Sequence, residues 1–244
     1  MKKLTKVKIN VIYDDLNGAE VGFVKSFGFA ALVEIEDKKI LFDAGTKEDL
    51  LNKNLSALKV LPSQIDAVIL SHNHYDHANG LSAITRDNPK VPVYVHKYWN
   101  NPVRHIGDPV PPKNIRIIQE GRKLEEIGAR IYVTNCYQSQ DYGGIYEQAC
   151  YLEADDSFIL ICGCSHPGLN VFLDDRRNLG ISIKTSLHIM GGFHGFMFDD
   201  ERVKQLNPYI KSIVIFHCTR NIKTFQAQFH EKCKIGVVGK SYYF

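Results

Sequence analysis

The stretch LSHNHYDHANG, Leu70–Gly80, gathers three of the chain's ten histidines and one aspartate into six consecutive positions. No regular element turns His72, His74, Asp76 and His77 toward one point. In a strand the first three share a face and His77 takes the other; in a helix His72 and Asp76 align while His74 points away. The spacing therefore predicts a curled loop. Neutral imidazoles and a carboxylate that converge suit zinc, manganese or iron better than calcium. Four such groups crowd one ion that must keep a coordination position open. Two neighbouring ions share them more naturally, as in a two-metal hydrolytic site.

Upstream of the cluster, DAVIL reads as a buried strand, so the histidines begin where a strand ends, a usual place for functional groups. Before it, KVKINVIYDD and AALVEIEDKKILFDAG read as a strand followed by a hairpin broken at Asp37, Lys38 and Lys39. TKEDLLNKNLSALKV switches to helical spacing through Leu50, Leu51, Leu55 and Leu58, with Thr46 and Asp49 in a capping-box pattern. Asn79 to Thr85 starts another helix.

Downstream, VPVYVH is a strand and KYWNNPVRHIGDPVPPKN, Lys97 to Asn114, a proline-rich connection that is either a binding loop or a stiffened surface segment. IRIIQE, ARIYVTNC, QACYLEAD and SFILICG continue the strand series. The chain then alternates: a helix near Leu169 to Arg177, a strand in LHIMGG, a helix in DDERVKQLNPYIKS, a strand in IVIFHC, a helix in FQAQFHEKC and a final strand in KIGVV. Grouped strands that later alternate with helices fit sheets with helices packed outside.

The 244 residues, 44% hydrophobic, are expected to form one domain over 1–244. A formal charge of +3 without a continuous basic face gives no support to nucleic-acid binding. No apolar run approaches the roughly 20 residues of a membrane span, and MKKLTKVKIN lacks the apolar core of a signal peptide, so a cytoplasmic location is expected. Cys136, Cys150, Cys162, Cys164, Cys218 and Cys233 are accordingly expected as reduced thiols, mostly buried.

Three later histidines repeat the first placement. His166 follows the strand in ILICGCSHPG, His194 follows that in HIMGGFHG, and His217 ends IVIFHC. Strand ends that gather on one rim make His166 and His217 candidate metal ligands. His194 is a candidate catalytic residue; the glycines before it either let backbone N–H groups approach an anion or make a tight turn. His188 reads as core or interface, and His105 and Trp99 as candidates for substrate contact.

H-x-H-x-D-H after a strand, read here as His72, His74, Asp76 and His77, resembles the signature of the metallo-β-lactamase superfamily, and ILFDAGT upstream extends the likeness. GCSHPGLN, GGFH and HCT further resemble the subgroup that includes the archaeal 7,8-dihydropterin-6-methyl-4-(β-D-ribofuranosyl)aminobenzene-5′-phosphate synthases. The resemblance implies an α/β (α+β) fold, a four-layer αβ/βα sandwich with the metal site between the edges of two sheets. It implies two divalent transition metals, zinc first and manganese or iron next, held by the four motif residues with His166 standing in for a missing histidine and His217 as the last ligand. Where many relatives carry a bridging aspartate, this chain offers Gly163 and Cys164; either Cys164 helps bind metal, or the bridge is water alone and Cys164 an inert buried thiol. Arg220 replaces a glycine usual in the subgroup, and SFGFA lacks the histidine and serine often found there.

The expected activity is hydrolysis, or a related phosphate-ester or pterin-metabolism reaction, on a small phosphate- or pterin-containing molecule. Hydroxide held by the metals would attack, since binding lowers the pKa of water from about 15.7 toward 7, with Asp76 orienting it. Arg220, Lys223, Arg104 and Lys97 are candidate phosphate anchors or solvated charges. One alternative is a non-catalytic metal-containing binding or sensing protein. A flavo-diiron-like oxidoreductase is disfavoured by His74, where that group carries glutamate, and by the absence of room for a flavin domain.

Overall fold

In β-strands successive side chains face opposite ways, so runs that are apolar at every position must be covered on both faces. The computed structural model, which describes residues 6–100, 107–140 and 143–244, meets that demand with four layers. From the first half of the chain come β1 (Val7–Tyr13), β2 (Ala30–Ile35), β3 (Lys38–Phe42), β4 (Ala67–Ile69), β5 (Val93–His96) and β6 (Ile115–Ile118). Then follow β7 (Arg122–Lys123), β8 (Ile131–Val133), β9 (Tyr137–Gln138), β10 (Tyr146–Glu147), β11 (Cys150–Glu153) and β12 (Ser157–Cys162). β13 (Ser186–Gly191), β14 (Ile210–Ile215), β15 (Cys233–Ile235) and β16 (Ser241–Tyr243) complete the set.

One seven-stranded sheet has the order β16-β1-β2-β3-β4-β5-β6, the other β15-β14-β13-β12-β11-β8-β7, and β9 pairs with β10 alone. In β2, Ala31, Val33 and Ile35 join the core between the sheets, where Ile159 and Ile161 of β12 meet them from the other side. Ala30 and Leu32 face outward onto Leu51 and Leu55 of α1 (Glu48–Ala57). Near them in the chain are two single turns of helix, α2 (Tyr75–Ala78) and α3 (Ser82–Thr85). On the far face, Leu160 and Cys162 lie under α4 (Leu169–Asp175), α5 (Asp200–Leu206) and α6 (Ile222–Phe229), whose Phe172, Leu206, Phe225 and Phe229 fill that layer. Helix, sheet, sheet, helix is the four-layer sandwich expected.

β3 runs parallel to β4, and β12, β13 and β14 run parallel to one another. Their C-terminal ends therefore deliver Asp43, the histidine cluster, Cys164, His194 and His217 to one region.

Local readings were corrected in several places. The hairpin turns at Glu36 and Asp37, while Lys38 and Lys39 already belong to β3. The Thr46–Asp49 capping box does not form: Thr46 Oγ1 donates to the Phe27 carbonyl instead, and α1 begins after Lys47 with no side-chain cap. The histidine cluster is only half a loop, because Tyr75–Ala78 form a turn of helix that carries Asp76 and His77. α5 ends at Leu206 rather than running to Ser212. Asn207 still has helical backbone angles, but Pro208 after it has no N–H to continue the ladder. The last strand is Ser241–Tyr243, which returns to pair with β1 in the first sheet. Among the described residues no helix is long and apolar enough to cross a membrane.

Candidate metal centre

β4 ends at Ile69, and the next residues turn into the gap between the sheets. The Ser71 N–H donates to Asp43 Oδ1 at 2.7 Å and the Ser71 hydroxyl to Asp43 Oδ2 at 2.8 Å, so the end of β3 fixes where the cluster begins. From the second sheet, the Gln148 amide donates to the Leu70 carbonyl at 2.9 Å. His72, His74, Asp76 and His77 are all buried.

Three imidazoles have one nitrogen fixed by a neighbour. Asp43 Oδ2 lies 2.7 Å from His77 Nδ1, Asp15 Oδ1 lies 2.6 Å from His217 Nδ1, and the Ser71 hydroxyl lies 2.8 Å from His72 Nδ1. A carboxylate on Nδ1 selects the tautomer whose Nε2 carries a lone pair, the arrangement found behind metal-ligating histidines. The Nε2 atoms of His72, His77 and His217 are then the ones offered inward. His72 Nε2 is buried with no hydrogen-bond partner among the described residues, an unusual state for a polar atom unless a cation accounts for it.

Two donor sets result. His72, His74 and His166 form one, and Asp76, His77 and His217 the other, the donor atoms within each lying within 4.8 Å of one another. The His72 and His77 rings are 4.2 Å apart, so the sets adjoin. Nitrogen and carboxylate donors of this kind have the chemistry of a divalent transition-metal site.

The two sets differ electrically. Burial, reinforced by His77, His74 and His166, pushes His72 well below the ordinary histidine range, and burial with His74 and His194 takes His166 to about 2. Both are neutral and ready to donate lone pairs. In the second set burial opposes ionisation of Asp76, but His77 and His217 outweigh it and hold the carboxyl well below the usual range. Burial would likewise lower His217, yet Asp15 and Asp76 raise it to about 10. This half of the centre attracts positive charge.

Cys164 lies against both sets. Its sulfur is 3.1 Å from His77 Nε2, and it groups with His72 and His77 as potential donors. Gly163 cannot supply the bridging side chain, because a Cβ there would fall 2.2 Å from Ser71 Oγ. Of these two positions only Cys164 offers a side-chain donor near both sets.

A cavity of about 320 Å³ opens over the centre, lined by Asp76, Cys164, His166, His194, His217 and Arg220 among others. His194, at φ +42°, stands with its ring 4.9 Å from that of His166. Arg220 is exposed at the cavity edge. A second cavity of about 480 Å³, walled by Tyr137, Gln138 and Phe196, shares His166 and His194 with the first.

Trp99 does not line either cavity among the described residues. It is only 6% exposed and belongs to the core beneath α1, packed against His96, with its carbonyl accepting from Asn73; a large apolar ring so placed holds the fold rather than a substrate. Lys97 and Lys223 are exposed and line neither cavity, as solvated charges do. His105 and Arg104 lie outside the described residues. His188 is half-buried beside Ser212 and Phe244, as a core or interface group.

Sequence reasoning missed the carboxylates that hold the candidate ligands. Asp14 accepts the His217 N–H at 2.5 Å. Fully buried Glu147 accepts the N–H groups of Cys164 and Ser165 on Oε1 and that of His166 on Oε2, at 2.7–2.9 Å. Burial raises Glu147 to about 7, against the pull of those three N–H groups. A strand immediately followed by Asp-Asp or Asp-Ala-Gly was the only local signal for Asp14, Asp15 and Asp43; nothing local marks Glu147.

The two-sheet sandwich is the metallo-β-lactamase fold, and the chain belongs to the metallo-β-lactamase superfamily, whose family model matches residues 25–136. It is 27% identical over 263 residues to 7,8-dihydropterin-6-methyl-4-(β-D-ribofuranosyl)-aminobenzene-5′-phosphate synthase of Methanocaldococcus jannaschii, covering 89% of each chain. An uncharacterized protein of the same organism is 32% identical over 243 residues, 86% of this chain and 90% of the relative. Among solved structures, Tm1679, a metal-dependent hydrolase of the β-lactamase superfamily, superposes with a TM-score of 0.71 at 22% identity over 97% of this chain and 98% of its own. A diphosphatase of the PhnP family gives 0.57 at 13% identity over 98% and 97%.

Proposed function

We propose that this chain is a hydrolase with a dinuclear centre, zinc being the preferred metal, that acts on a phosphate ester of a small organic molecule. The observation that carries this reading is the pair of adjoining donor sets, His72/His74/His166 and Asp76/His77/His217, at the floor of a cavity edged by an arginine. Two divalent ions held there supply Lewis acidity and an acidified water.

The chain's own groups do the rest. Asp76, kept ionised and fixed at 3.1 Å from His217 Nε2, accepts a hydrogen bond from the attacking water and orients it. Arg220 binds the phosphate in the geometry its planar donors favour. His194, beside His166 on the cavity wall, donates a proton to the departing oxygen. Phe27, edge-on to the His217 ring at 5.0 Å, covers one side and excludes bulk water. The synthase named among the relatives carries both a phosphate and a pterin in its name, which supports a phosphate-bearing, ring-containing substrate.

The test has two arms. Metal analysis after reconstitution with zinc, manganese or iron is expected to give close to two ions per chain, lost when His74 and Asp76 are replaced together; no bound metal would overturn the centre. A panel of phosphodiesters, cyclic phosphates, lactones and thioesters then decides the reaction. Full metal loading with no turnover would make the protein a metal-containing binding or sensing protein instead.

A further inference from the structure

Cys164 and Cys218 leave different strands of the second sheet, β12 and β14, with β13 between them. Their side chains nevertheless meet. The two sulfurs lie within 4.8 Å of each other. Gly192, one residue beyond β13, allows the approach: a Cβ there would fall 2.8 Å from Cys218 Sγ and 2.5 Å from the Gly163 carbonyl oxygen. Any side chain at this position would strike the sulfur that crosses above it.

Both thiols also line the cavity over the centre, so small solutes reach them. Cys218 is half-buried and Cys164 almost fully buried. Cys150 and Cys162, by contrast, are fully enclosed in the apolar layers and line neither cavity. A reachable cysteine beside a second, sheltered one is the arrangement in which oxidation stops at a disulfide instead of running on to sulfinic acid.

We propose that Cys164 and Cys218 form a modification site, a thiol pair that a hydroperoxide converts to a reversible disulfide. The Cys218 sulfur attacks the hydroperoxide, the O–O bond breaks, and a sulfenic acid forms as the other oxygen leaves as alcohol, or as water from hydrogen peroxide. The Cys164 sulfur then attacks the sulfenic sulfur, the S–S bond forms, and the hydroxyl leaves as water. Two thiols are oxidised by two electrons and one hydroperoxide is reduced by two; the two thiol protons end in the products. Once joined, Cys164 no longer offers a free thiol beside His77.

The protein as purified, with and without added zinc, is treated with hydrogen peroxide, digested and mapped by mass spectrometry. The expected result is a Cys164–Cys218 cross-linked peptide that dithiothreitol separates, and in Cys164→Ser a sulfenic acid at Cys218 that a dimedone probe captures. Cysteines that remain reduced, that pair otherwise, or that reach sulfonic acid without a cross-link would overturn the proposal. Should Cys164→Ser not fold, the map of the unaltered chain decides alone. The cross-link is also read without added metal, so this proposal and the metal reading fail separately.

Discussion

Asp43 and His77 are joined by a 2.7 Å contact between Oδ2 and Nδ1, and neither side chain is exposed. The same carboxylate oxygen takes the Ser71 hydroxyl, which reaches on to His72. One aspartate therefore orients a histidine in each donor set.

Replacing Asp43 with Asn keeps the volume but turns one acceptor into a donor. Metal affinity is expected to fall by about 10- to 100-fold, the usual effect of losing a carboxylate behind a ligating histidine. Competition with a chromophoric chelator measures it. Unchanged affinity would mean that His77 is oriented by something else.

Glu147 grips the loop that carries Cys164 and His166 through three backbone N–H groups. In Glu147→Gln the amide can face only one side with an acceptor, leaving at least one buried N–H unpaired at a cost of about 1–3 kcal/mol. The expected outcome is a lowered Tm together with preferential loss of the ion bound by His72, His74 and His166. Equal loss of both ions would argue for a global rather than a local effect.

Burial lowers His96 to about 4, against an ordinary value of 6.5, with a weaker opposing backbone contact from Tyr146. Above 6.5 both the folded and unfolded chains hold it neutral and it has no effect. As pH falls from 6.5 toward 4 the unfolded chain takes up a proton that the folded chain refuses, so stability declines across that window, by a total of about 3 kcal/mol. Denaturant melts of His96→Gln should show a shallower decline than the parent between these limits; parallel curves would remove His96 as the cause.

Arg220 stands at the rim, outside both donor sets. Arg220→Ala is expected to leave metal content and Tm within error and to raise KM for phosphate-bearing substrates, with much less effect on uncharged esters. Trp99→Ala should do the reverse. Removing a buried indole typically destabilises by about 3–5 kcal/mol, while KM in the protein that remains folded stays put.

The candidate ligands were legible because each sits next to a strong local pattern. His72 to His77 form a cluster no regular element explains, and His166 and His217 each follow a run of β-branched residues. Their supports were not. Asp15 and His217 are 202 positions apart and Glu147 and Cys164 are 17, so only the closed sheets bring them together. β16 was missed because three residues, Ser241–Tyr243, are too few to show a period, and its place beside β1 depends on the sheet already existing. The burial of Trp99 was illegible for a related reason: an aromatic in a proline-rich stretch looks exposed until the layer that buries it is known.

The dependence of His217 on Asp14 and Asp15 ties the end of the first strand to the loop after the fourteenth. During synthesis the ribosome releases His72, His74, Asp76 and His77 long before His217 emerges, and Asp14 and Asp15 wait with no imidazole to hold. A nascent chain can present only a partial donor set, so on the reading proposed above a complete centre can load its metal only after His217 has emerged, and a truncated product would lack it.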